Sequence, residues 1–109
     1  MKVHATIIGA TGLVGSHLLR LLLEDERFAS VSALGRRPTG VAAPKLRDAV
    51  VDFRTPATFA ALVAGDVLFS ALGTTIRAAG SEAAQYEVDH GFQLAVAQAA
   101  RRNGVPALV

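Results

Sequence analysis

The sequence predicts a doubly wound α/β domain built on a parallel sheet of strand order 3-2-1-4, with a fifth strand opening beside strand 4. Three observations carry this expectation. The apolar runs are short and apolar throughout rather than alternating, as in strands buried on both faces. Glycine closes three of them, at Gly9, Gly35 and Gly73. Helical patterns or long polar crossovers separate them, and the handedness of such crossovers fixes the strand order.

The first strand is expected over residues 3–8, a β-branched run broken by Gly9. The period then changes: over residues 13–24, Val14, Leu18, Leu21 and Leu22 are expected to share a helical face. Arg20 and Glu24 lie opposite at i,i+4 spacing. Residues 31–34 predict a second strand, followed by a polar segment carrying Pro38, Gly40 and Pro44, and residues 49–51 a third. Thr55 as N-cap and Pro56 at the first helical position predict a helix to Ala64, stopped by Gly65. Residues 67–72 predict the fourth strand. Ser81 can cap a long helix whose Ala84, Val88, Phe92, Ala95 and Ala99 share a face. Asn103-Gly104-Val105-Pro106 stops it, and residues 107–109 begin strand 5, where the chain ends.

The 109 residues hold one domain at most, and 51% hydrophobic against 18% charged residues excludes disorder for most of the chain. Low aromatic content (6%, no Trp) argues against a single-strand nucleic-acid platform. The net charge of +2 is spread over scattered basic residues, so nucleic acid is not an expected partner. The absence of Cys removes disulfides, thiolate metal sites and a Cys nucleophile. The longest apolar stretch, residues 59–72, is shorter than the roughly 18–20 residues that span a bilayer and contains Asp66. No membrane partner is expected, and with no signal-peptide cleavage pattern the expected location is cytoplasmic.

Gly9-Ala10-Thr11-Gly12-Leu13-Val14-Gly15 lies directly between the first strand and its helix. There a tight turn, a close backbone approach and helix-sheet packing each favour a residue without a side chain. The Leu13 and Val14 N–H groups would face a pyrophosphate at the positive end of the helix, and Thr11 adds a hydroxyl. About 20 residues on, an acidic side chain would ordinarily hold the adenosine ribose. This chain has Gly35-Arg36-Arg37 instead. Two guanidiniums at that place suit a ribose 2′-phosphate, which points to NADP(H), with NAD possible; Arg36 can also stack on adenine. Asp52 either accepts a hydrogen bond from the adenine amino group, with Phe53 walling the base, or begins the next helix. Leu72, Gly73 and Thr74 either approach the ribose or form a Thr-capped turn.

No catalytic residue is assigned. Carbonyl reduction typically uses a Tyr with a nearby Lys, but Tyr86 is the only Tyr and has His90 at i+4. His4, His17 and His90 lack metal-ligand spacing, and Ser70 and Ser81 lack a positioned base.

The 9–15 glycine motif, Gly35-Arg36-Arg37, Leu72-Gly73-Thr74-Thr75, Ala79-Gly80-Ser81 and Val88-Asp89 together resemble the atypical, extended-type short-chain dehydrogenase/reductases, which have Rossmann-type folds. The nearest group is the small NAD(P)H-binding, epimerase/dehydratase-like proteins. The resemblance implies cofactor contacts at Thr11, Leu13, Val14, Arg36, Arg37, Asp52, Leu72, Gly73 and Thr74. It also implies that the remainder of a Ser-bearing strand 5, a Tyr-x-x-x-Lys helix and a substrate lobe follow Val109, so that this chain is the N-terminal cofactor half of an oxidoreductase or epimerase-type enzyme acting on a small molecule. The alternative is a non-catalytic NADP(H) sensor. An uncovered edge at strands 4 and 5 further leads to the expectation of a homodimer or a longer native protein.

Overall fold

Strands β1 (Val3–Ile8), β2 (Phe28–Gly35), β3 (Leu46–Val50), β4 (Val67–Ser70) and β5 (Ala107–Leu108) form one parallel sheet in the order β3-β2-β1-β4-β5. Helix α1 (Leu13–Glu24) joins β1 to β2, and helix α2 (Gln93–Arg102) precedes β5. The computed structural model describes residues 3–71 and 93–109. The expected start of the long helix at Ser81, Tyr86 and His90 lie outside the described residues.

Adjacent positions on each central strand enter different cores, because side chains alternate across a sheet. Ile7 and Ala33 pack with Ala10, Leu19, Leu22 and Val31 beneath α1. Ile8 and Leu34 pack on the other side with Phe53, Phe59, Val63, Leu68 and Val96. Both faces are thus covered, which is why the strands read as continuous apolar runs.

Helix α1 has the expected bounds but a different buried face. Gly15, Leu19 and Leu22 face the sheet, while Val14 and Leu21 are 73% and 63% exposed. Leucines surround this helix, so their periodicity alone does not set its rotation. Gly15 does: a Cβ there would lie 1.9 Å from the Gly9 carbonyl oxygen, so only this residue permits the close approach.

β2 begins three residues before its expected start and β3 covers 46–50 instead of 49–51. β3 is a sheet edge, where exposed Arg47 and Asp48 are tolerated, so apolar content understates its length. The helix expected over 56–64 is two short 3-10 turns, Pro56–Thr58 and Ala60–Leu62. Phe59 separates them with φ −130° and ψ −19°, outside the helical well, and is fully buried with its ring 5.7 Å from that of Phe53. Side-chain bonds at the entry compete with a helix as well: the Asp52 carboxylate accepts from the Arg54 N–H and the Thr55 hydroxyl.

Candidate functional site

The carboxyl ends of β2, β1 and β4 stand side by side, with Ile8 in register with Leu34 on one neighbour and Ser70 on the other. From β1 the chain winds outward through β2 to β3 and later returns to β4, so the crevice above β1 and β4 is the topological switch point. The glycine loop rises from the centre of this arrangement.

Its geometry separates the roles of the three glycines. Gly9 has φ +83°, a backbone conformation that side chains disfavour, and its carbonyl accepts the Gly12 N–H at 3.2 Å to close the turn. Gly15 meets the Gly9 carbonyl. A Cβ on Gly12, by contrast, would meet only that carbonyl oxygen among the described residues, at an ordinary 3.5 Å. The fold itself could accept a small side chain at Gly12; open space above the loop is what the glycine preserves.

Gly12 is the N-cap of α1 and provides no side-chain cap, and the first turn holds no acidic residue. The N–H groups that begin a helix have no partner within it, so those of Leu13 and Val14 point outward with the positive end of the helix dipole. The side chains beside them are 80% and 73% exposed. An uncapped helix start, an exposed apolar pair and an open glycine together fit a pyrophosphate with its adjoining sugars.

Thr11 is exposed at the same loop. Arg36 and Arg37 follow the end of β2, both exposed, and neither forms an ion pair or hydrogen bond among the described residues. The segment after them is anchored. The Thr39 N–H and hydroxyl donate to Asp48 Oδ2 at 2.9 and 2.6 Å, and the Thr39 hydroxyl oxygen accepts the Val41 N–H. Thr39 and Asp48 were not singled out from sequence; nine residues apart on a loop and a strand, they leave no periodic signal.

Asp52 follows β3 and is exposed, but its carboxylate organises the turn to Thr55. Phe53 is only 3% exposed and packs on Phe59, so its ring belongs to the core. Leu72, Gly73 and Thr74 lie outside the described residues. Among the described residues, no three His, Asp or Glu side chains gather in a metal-binding group, and no helix is long and apolar enough to cross a membrane.

The sheet order, the switch point and the open glycine loop define a nucleotide-binding α/β domain. Residues 5–109 match the model of the NAD dependent epimerase/dehydratase family, and the chain belongs to that family. Its cofactor is accordingly a nicotinamide dinucleotide. Among relatives, the chain is 38% identical to "Protein fmp52, mitochondrial" of Aspergillus fumigatus, covering 97% of this chain and 48% of the relative. It is 39% identical to the protein of the same name from Eremothecium gossypii, covering 93% and 45%. It therefore spans about half the length of the curated relatives it matches. The fold is similar to that of uronate dehydrogenase from Agrobacterium tumefaciens (TM-score 0.79, 19% identity, 96% of this chain and 38% of that one). A mutant of that dehydrogenase complexed with NAD gives the same TM-score, with 99% of this chain and 40% of that one covered.

These relatives correct one expectation. The composition and the lack of a cleavage pattern led to a cytoplasmic location, whereas the related proteins from three fungi are named mitochondrial. Location is set by short address segments that leave no trace in a domain's core pattern.

Proposed function

We propose that this chain is the cofactor-binding part of an NADP(H)-dependent oxidoreductase or epimerase-type enzyme acting on a small molecule. When bound, the nicotinamide supplies or accepts the hydride; the residues described here bind and orient the dinucleotide. Gly9, Gly12 and Gly15 shape the loop, and the Leu13 and Val14 N–H groups receive the pyrophosphate. Thr11, Arg36 and Arg37 surround the adenosine ribose, with Asp52 near the base. The family resemblance adds Leu72, Gly73 and Thr74, which follow β4 in sequence, as cofactor contacts. The relatives' names support a mitochondrial setting.

The observation that carries the NADP(H) reading is the pair Arg36-Arg37 at the end of β2, where an acidic side chain would favour NAD(H). Guanidiniums match phosphate oxygens in a planar fork and stay charged at every physiological pH. Calorimetric titration of the full-length protein with NADPH and NADH tests it. NADPH is expected to bind more tightly, and Arg36→Ala with Arg37→Ala to remove most of the difference, at about 1.5–3 kcal/mol per charged hydrogen bond lost. Equal affinities for the two cofactors, unchanged in the double variant, would refute the assignment.

A further inference from the structure

A cleft of about 530 Å³ adjoins the glycine loop on the side away from β4, between the flank of α1 that carries Leu19 and Leu23 and the segment that follows β2. Thr11 stands where the cleft meets the loop, Arg20 on the helical wall, and Arg37 and Thr39 on the opposite wall. Two arginines therefore border one cavity, and among the described residues Glu24 is the single carboxylate-bearing residue lining it.

Among the described residues, neither arginine side chain forms an ion pair or a hydrogen bond. The i,i+4 spacing of Arg20 and Glu24 suggests a pair, but among the described residues the ion pair present is Arg27–Asp25, and Arg20 makes none. The opposite wall is held in place, because Thr39 is bonded through both its N–H and its hydroxyl to Asp48 on β3. Arg37 thus leaves from an anchored segment rather than a free loop. Arginine cannot shed its proton to relieve repulsion, so an excess of positive charge around a cleft favours an incoming dianion.

We propose that Arg20 is a specificity-determining residue, a further cation for a phosphate monoester carried on the ribose and held between α1 and Arg37. The proposal rests on the NADP(H) reading above and extends it to a residue about two helical turns from the start of α1. The shared ligand chemistry is a ribose 2′-phosphate, carried by the dinucleotide or by a smaller phosphorylated adenosine.

The test uses adenosine 2′,5′-bisphosphate and AMP as probes, titrated by calorimetry into the full-length protein and its Arg20→Gln, Arg20→Lys and Arg37→Gln variants. The bisphosphate is expected to bind the native protein more tightly than AMP does. Arg20→Gln should weaken the bisphosphate about tenfold, as for a lost charge-assisted bond, with AMP binding and melting temperature unchanged. Arg20→Lys, which keeps the charge without the fork, should fall between. NADPH should show the same loss in Arg20→Gln as the bisphosphate, with NADH unaffected.

Undiminished bisphosphate binding in Arg20→Gln, with a clear loss in Arg37→Gln, would overturn the role of Arg20 while leaving the NADP(H) reading intact. Equal loss of AMP and bisphosphate in Arg20→Gln would also overturn it. Native protein that binds AMP and the bisphosphate alike would defeat the NADP(H) reading itself, and this proposal with it.

Discussion

Gly15 sits against the carbonyl of Gly9, so closely that a Cβ on Gly15 would come within 1.9 Å of that oxygen. This contact clamps the start of α1 onto the end of β1 and sets which helical face is buried. It also distinguishes two glycines that look alike in the motif. Gly15→Ala is expected to destabilise the protein by at least the roughly 1–3 kcal/mol of an overpacked core, seen as a lower midpoint in denaturant unfolding. Gly12→Val should leave the fold largely intact by circular dichroism while abolishing dinucleotide binding, because its side chain would occupy the open space above the loop. A Gly12→Val protein that binds NADPH normally would contradict the phosphate-loop assignment.

Asp48 is expected to act on cofactor choice from a distance. Its carboxylate receives two bonds from Thr39, so Asp48→Ala frees the segment that carries Arg37. Stability should fall by about 1–3 kcal/mol, given about 0.5–1.5 kcal/mol for each of the two bonds. NADPH affinity should fall more than NADH affinity. Equal losses for the two cofactors would show that the clamp does not position the arginine.

At the far end of α1, Asp25 is the C-cap, and its carboxyl is lowered to about 2. The main cause is the Arg27 side chain, whose Nε and Nη2 donate to it; the Arg27 backbone N–H adds to the effect. A carboxylate whose pKa is depressed on folding adds stability that is present above the ordinary value of 3.8 and is lost as pH falls toward 2. Carbon-detected NMR titration should place its midpoint near 2. Arg27→Ala should raise that midpoint toward the ordinary value; no change would remove Arg27 as the cause.

Lys45 ties the same region to the sheet by donating to the carbonyl oxygens of Asp25 and Phe28 at 2.8 and 2.9 Å. Lys45→Met should cost about 1.5–3 kcal/mol, since charge-assisted bonds that are partly shielded from water are lost while the alkyl stem is kept. Unfolding by urea would measure it, and an unchanged midpoint would mean that water replaces the ammonium without loss.

How much of this was legible in the sequence depends on where each signal resides. β1 and α1 were readable to the residue, because the β-branched run, the glycine motif and the helical period agree locally. The order β3-β2-β1-β4-β5 followed from chirality, which does not depend on side-chain detail. The helix expected from Thr55-Pro56 was not formed, because the core demand on Phe59 and the hydrogen bonds of Asp52 outweigh a favourable start signal. Phe53 shows the same limit at the site: an aromatic beside a candidate ligand residue can look like a pocket wall, yet alternation along the chain turns it inward. The cleft containing Arg20 was invisible because its walls come from a helix and a loop that meet only in the folded chain.

The central claim is that a nicotinamide dinucleotide binds at the uncapped start of α1. The most direct measurement is the amide NMR spectrum of the isotope-labelled full-length protein as NADPH is added. Gly12, Leu13 and Val14 should show the largest amide shifts, with Arg36 and Arg37 following, and all should be absent in Gly12→Val. Saturable NADPH binding that leaves the Leu13 and Val14 amides unmoved would contradict the account.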